Sequence, residues 1–165
     1  MPLDSAANLL PYRHGIYGEA LGNGVYGSLN YERFFRVPIG NDLAAFRVGA
    51  LVWPKSQTAI VPLELFWLSE KPWRIGKGNL RGEFGTGLTF VKSEYVEYRN
   101  QGVFANMTFL PTLRMACRWQ LPDNRLFVKA GISGVIIPVP GYVPFMIIPL
   151  PSLGVGYSLG QKLLK

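Results

Sequence analysis

Charge is scarce in this sequence. Of 165 residues, 16% are Asp, Glu, Lys or Arg, against roughly 25% in an ordinary soluble domain. A water-facing surface carries long charged side chains in quantity, and there are too few here to cover one. Cysteine is nearly absent. Cys117 stands alone, which excludes an internal disulfide and a multi-cysteine metal site. His14 is the single histidine, and the carboxylates have arginine competitors, so no metal site and no cofactor are expected. No stretch holds the ~20 consecutive apolar residues of a membrane helix, and no helix-period stretch of useful length occurs. The opening residues, Met1-Pro2-Leu3-Asp4, lack the basic-then-apolar pattern of a secretion signal. We read the chain as a mature sequence with its leader removed.

What is present points to strands. Apolar residues make up 48% and aromatics 13%, with 19 Gly and 13 Pro scattered along the whole length. In lipid, the only strand architecture that satisfies every backbone group is a closed barrel. Eight segments alternate with period two: 14–22, 25–35, 43–53, 58–68, 78–91, 106–120, 126–137 and 148–159. Most are long enough for a tilted membrane strand, which needs ~9–11 residues. Turn-formers separate them, including Gly22-Asn23-Gly24, Pro38 with Gly40-Asn41-Asp42, and Pro122-Asp123-Asn124. The fold class is therefore all-β: a closed antiparallel up-and-down transmembrane β-barrel of about eight strands. It spans residues 14–160, with an N-terminal extension at 1–13 and a C-terminal tail at 161–165.

The two faces of each segment decide which way the barrel is turned. Segment 78–91 sets Leu80, Phe84, Leu88 and Phe90 against Arg81, Glu83, Gly85 and Gly87. Segment 106–120 sets Phe109, Leu113, Met115, Cys117 and Trp119 against Thr112, Arg114, Ala116, Arg118 and Gln120. The second face is polar but small, as a narrow interior requires. The apolar face then belongs against hydrocarbon. A soluble lipocalin-like barrel with the apolar face inward is the alternative, and it would leave too few charges on its surface.

This parity places Glu19, Glu32, Glu64, Glu83, Arg47, Arg81, Arg114, Arg118 and Lys129 in the lumen. Confined ions must neutralise one another, with arginine forks bridging carboxylates. We expect a network that fills the lumen and fixes strand register; a gated ion path or a buried acid–base site is the sharper alternative. The remaining charge is lopsided. With both termini on the periplasmic side, that rim holds Arg33, Arg36, Lys71, Arg74, Lys77 and Arg125, with Arg13, Lys162 and Lys165, against Asp4, Asp42, Glu70 and Asp123. Such a rim suits phospholipid headgroups. The charges flank apolar strands rather than forming one stripe, so nucleic acid is not an expected partner. Phe34, Phe35, Trp53, Trp67, Trp73, Phe90 and Trp119 lie near segment ends, where membrane barrels carry aromatic girdles.

Nucleophilic catalysis would need a Ser or Cys beside a base. Ser5, Ser28 and Ser158 could approach His14 across the first–last strand seam, but no motif supports any of them, and we expect no enzyme. Cys117 falls on the lipid face, where it acts as a small hydrophobe.

Five stretches resemble small uncharacterised outer-membrane barrels of Bacteroidetes-type bacteria. The first is Leu21-Gly22-Asn23-Gly24 with Ser28-Leu29-Asn30-Tyr31-Glu32-Arg33. The others are Ile60 to Leu65, Leu80 to Thr89, Arg118 to Pro122 with Leu126 to Gly131, and Pro151 to Ser158. The resemblance implies an eight-stranded barrel in the outer membrane of a Gram-negative bacterium, and it implies no activity. The chain departs from that pattern by ending Leu163-Leu164-Lys165 rather than on the aromatic residue that assembly machinery reads. The expected role is that of a structural or accessory subunit of an envelope complex. It would contact phospholipid and lipopolysaccharide, and a protein partner through loops 92–106 and 138–147 with Tyr95, Tyr98, Phe104, Tyr142 and Phe145. Two further readings stay open: a transporter of apolar ligands or porin-like channel, and a lipid-modifying barrel enzyme using His14.

Overall fold

A computed structural model describes residues 12–24, 27–37, 43–53, 58–69, 72–92, 107–121, 125–137 and 145–162. The strands are β1 (Tyr12–Leu21), β2 (Gly27–Arg36), β3 (Leu43–Trp53), β4 (Thr58–Leu68), β5 (Trp73–Ile75), β6 (Gly78–Lys92), β7 (Met107–Gln120), β8 (Leu126–Ile137) and β9 (Met146–Lys162). Each long strand pairs antiparallel with its chain neighbours, and β9 pairs with β1, so the sheet closes on itself. The ring has eight long strands. Closure leaves no long strand of the ring at an open edge.

β5 is an addition to the sequence reading. It continues the β4 arm past the ring and pairs with the start of β6, Trp73 opposite Leu80 and Ile75 opposite Gly78. Gly76 and Lys77 make the two-residue turn, and Gly76 has φ +60°, which suits glycine in the first position of a hairpin of this kind. The tip of this hairpin extends beyond the rim that holds Tyr12 and Lys162. We call that the terminal rim and the opposite one the loop rim.

Other bounds differ by a few residues. β1 begins at Tyr12 and β9 runs from Met146 to Lys162, so residues 146–147 belong to a strand rather than to the 138–147 loop. At the seam, Tyr12 pairs with Lys162 and His14 with Leu159, an extra residue on β9. Gly160 absorbs this bulge at φ +86°, a backbone angle that costs glycine nothing.

The alternation of faces fixes the barrel's polarity. Large apolar side chains face outward, among them Leu29, Phe84, Phe109, Met115 at 66% exposure, Ile132, Leu153 and Val155. The inverted, soluble arrangement is therefore not the one this chain adopts. At the terminal rim Phe35, Trp67, Trp73 and Trp119 are exposed on the outer wall. Phe34, placed in the same girdle by its position near a strand end, is instead inside the barrel at 2% exposure. It shares parity with Glu32, and period two decides the face regardless of residue type. Ala44, outward by parity, is buried because Phe35 and Trp67 flank it in register. No helix of the described residues is long and apolar enough to cross a membrane.

Candidate functional site: the barrel lumen

The inner face brings four glutamates and five cations into one closed space. Glu19, Glu32, Glu64, Glu83, Arg47, Arg81, Arg114, Arg118 and Lys129 are all buried, with none more than 6% exposed. They divide into two clusters stacked along the barrel axis.

The cluster toward the loop rim is built on Glu19 and Glu64. Arg47 pairs with Glu19 at 3.3 Å and with Glu64. Arg114 reaches Glu19 from across the barrel at 2.5 Å. Asn23 joins from above, its side-chain amide donating to Glu64. Asn23 lies in a single 3-10 turn, Gly22–Gly24. Leu21 (φ 61°) and Gly22 (φ 67°) are both left-handed and turn the chain inward. A left-handed Leu is strained by roughly 1 kcal/mol, and the buried amide–carboxylate bond offsets that strain.

The second cluster lies toward the terminal rim. Glu32 binds Arg118 and, at 2.6 Å, Lys129. Lys129 also holds Glu83 at 3.0 Å. The register explains why both carboxylates are required. Arg81, Arg118 and Lys129 stand directly opposite one another on β6, β7 and β8, and like charges in such a row repel. Arg118 Nε donates to Gln120 at 3.0 Å, and its terminal nitrogen to the Ser158 hydroxyl at 3.3 Å. Arg81, at the rim end of the row, donates to the Ser69 carbonyl at 2.8 Å.

Four aromatic rings pack among these ions. The Arg118 guanidinium lies 3.6 Å from the Phe127 ring centre and 5.0 Å from that of Phe34. The Lys129 ammonium is 4.6 Å from Tyr17 and 4.8 Å from Phe66. Ring faces attract desolvated cations, so the rings take over part of the role of lost water. Tyr17 links the clusters, since its hydroxyl accepts from Arg47 at 2.6 Å. Phe34, Phe66, Leu43, Ala45 and Leu68 form a small apolar core beside the lower cluster. These rings were missed in the sequence. Parity was the available signal, because Tyr17, Phe34, Phe66 and Phe127 each lie two residues from a lumen charge.

Inner-face glycines provide the room. Gly15 stands opposite Glu32, and a Cβ there would lie 2.5 Å from the Glu32 carboxylate oxygen.

The lumen mixes both signs of charge, and the outside does not. Every carboxylate among the described residues is in the lumen, so the described exterior carries cations alone. Arg33, Arg36, Arg74, Lys77 and Arg125 are exposed toward the terminal rim; Lys71 lies outside the described residues. Arg125 donates to the hydroxyls of Tyr157 at 3.0 Å and Tyr12 at 3.2 Å, which ties the β7–β8 turn to the seam. Those two bonds raise the guanidinium pKa above its ordinary value. Of the loop aromatics, Phe145 is exposed at the start of β9, while Tyr95, Tyr98, Phe104 and Tyr142 lie outside the described residues.

His14 stacks on Tyr31 on the outer wall and bonds its hydroxyl at 2.6 Å. Ser158 and Ser28 are buried on the inner face, so neither shares a face with His14; Ser5 lies outside the described residues. Cys117 is exposed on the outer wall. No group of three or more potential metal ligands occurs among the described residues.

A closed antiparallel barrel of eight strands, apolar outside and ion-filled within, has the architecture of outer-membrane barrel domains. The chain is similar in fold to the crystal structure of the N-terminal β-barrel domain of Pseudomonas aeruginosa OprF, with a TM-score of 0.55 and 14% identity. The match covers 91% of this chain and 100% of that one. No family model matches the sequence, and no curated protein matches it. The likeness to Bacteroidetes-type barrels rests on the five sequence stretches.

Proposed function

We propose that the protein is an integral outer-membrane barrel with a plugged lumen, a structural or accessory subunit of an envelope complex rather than an enzyme or an open pore. The observation that carries this reading is the pair of ion clusters, which joins β1, β3, β4 and β7 at one level and β2, β6, β7 and β8 at the next. Ions bridged across strands in this way hold the strands in register, and their side chains occupy the lumen. What remains to act on the surroundings is the wall, the loops and the cationic terminal rim. We place that rim at the periplasmic side, because the longest connection, residues 93–106, lies at the other end and long loops face outward in such barrels. There the rim would meet inner-leaflet phospholipid, while the loops would face lipopolysaccharide and any protein partner.

Single-channel recording in a planar bilayer tests the plug, run beside gel mobility with and without heating. We expect a heat-dependent mobility shift, the mark of a folded barrel, and no steady conductance. Steady conductance from the folded form would replace this reading with that of a channel.

A further inference from the structure

The outer wall is not evenly greasy. A groove of about 1070 Å³ crosses it from β4 and β5 to β8, at the upper end of the size of sites that take small ligands, roughly 300–1,000 Å³. Its floor is a row of small residues in register, Gly82 opposite Cys117 and Cys117 opposite Ala130. One bank is the adjacent row Trp67, Phe84, Met115 and Ile132, also in register. Trp73, 60% exposed on the β5–β6 hairpin, closes the groove at the terminal rim. The lining is mainly apolar, with Ser69 at its edge and the inward-facing residues Glu83 and Arg114 beneath the floor. The same hairpin carries Lys77 in its turn and Arg74 opposite Asn79, on the reverse face from Trp73 but beyond the rim, both exposed, and there is no acid from Pro72 to Leu80.

We propose that this groove is a binding site for one anionic phospholipid, with an acyl chain laid along the Gly82–Cys117–Ala130 floor and the phosphate held by the Arg74–Lys77 hairpin. The assignment rests on the membrane reading above, because only in a bilayer does the wall meet acyl chains. Three features favour a lipid over a second protein wall. The groove is concave, where two barrels would meet on flat or convex faces. It runs toward a cationic hairpin, which a second copy of this chain would repel. A chain laid on the small-residue floor packs its methylenes against the bank of Trp67, Phe84, Met115 and Ile132 and against Trp73 at the end, and the charge on the hairpin selects an anionic headgroup.

Gly82 makes the site testable without breaking the barrel. A Cβ at that position would meet only the Ser69 side chain, at 3.9 Å and beyond, so Gly82→Leu fills the groove and leaves the wall unchanged. The experiment reconstitutes the full chain in vesicles of phosphatidylcholine with one-tenth phosphatidylglycerol whose acyl chain carries a photoactivatable diazirine. Adducts are then mapped by mass spectrometry. Heat-dependent gel mobility is read on the same samples, so loss of the membrane-barrel fold is told apart from loss of the site. We expect adducts concentrated on Trp73, Met115 and Cys117, falling roughly tenfold in Gly82→Leu. Arg74→Gln with Lys77→Gln should abolish the preference over a diazirine phosphatidylcholine while groove adducts persist. Adducts spread evenly around the wall and unchanged by Gly82→Leu, or photo-linked dimers through the groove, would overturn the proposal.

Discussion

Replacing Glu32 with Ala is expected to lower the unfolding free energy by roughly 3–5 kcal/mol, the cost of removing one partner from a buried ion pair. Glu32 is wholly buried and binds both Arg118 and Lys129. Without it, those neighbouring cations, opposite each other in register, would share Glu83 alone. The variant should unfold at a markedly lower urea concentration in lipid vesicles, read by heat-dependent gel mobility. Adding Lys129→Met removes the stranded cation. The double variant should then lose less than the sum of the two single changes, because the residues act as one unit. A Glu32→Ala barrel as stable as the parent would mean that the ions are passengers in the lumen.

The second large effect concerns space rather than charge. Gly156 faces the lumen between Tyr17 and Phe127, and a Cβ there would lie 2.5 Å from the Phe127 ring and 2.6 Å from the Ile16 carbonyl. Gly156→Leu should refold poorly and cost at least about 3 kcal/mol where it folds, since overpacking forces rings and backbone apart. Gly18 is its control on the neighbouring strand: it faces outward, and a Cβ there would meet nothing within 4 Å. Gly18→Leu should refold like the parent. Equal yields from the two variants would show that the lumen is loose where the geometry makes it tight.

That contrast also explains what the sequence could and could not disclose. Alternation along β6 and β7 made the two faces legible, because an Arg and a Phe cannot exchange sides without reversing every neighbour. Strand ends were legible to within a few residues wherever Gly, Pro or Asn punctuates them. β5 was not, since three residues between Pro72 and Gly76 carry no period. The sorting of the lumen was legible by charge but not by ring. Phe34 was placed at an interface because an aromatic near a strand end suggests one, although its parity with Glu32 already put it inside. Phe66, which shares parity with Glu64, drew no reading at all. Asn23 was legible as a turn residue. Its reach to Glu64 depends on left-handed angles at Leu21 and Gly22, and nothing in the sequence forces Leu21 there. Which cation pairs with which carboxylate was likewise not legible, because partners such as Glu32 and Lys129 are 97 residues apart and meet only after the barrel closes.

The outer-wall groove and the inner plug are two results of one pattern. Small residues on the inner face leave room for ions and rings, and small residues on the outer face leave a furrow. Cys117 sits in that furrow as a native reporter, the single cysteine of the chain.

Lipid-phase quenching along β7 tests the central claim, an apolar wall in hydrocarbon around an ion-filled lumen, most directly. Single cysteines at 112, 113, 115, 116 and 117, the first four in a Cys117→Ser background, would carry a small fluorophore in vesicles of brominated lipid. None of these positions removes a lumen charge. The account predicts strong quenching at 113, 115 and 117 and weak quenching at 112 and 116. Quenching strongest at 112 and 116, or uniformly absent from the folded protein, would contradict it.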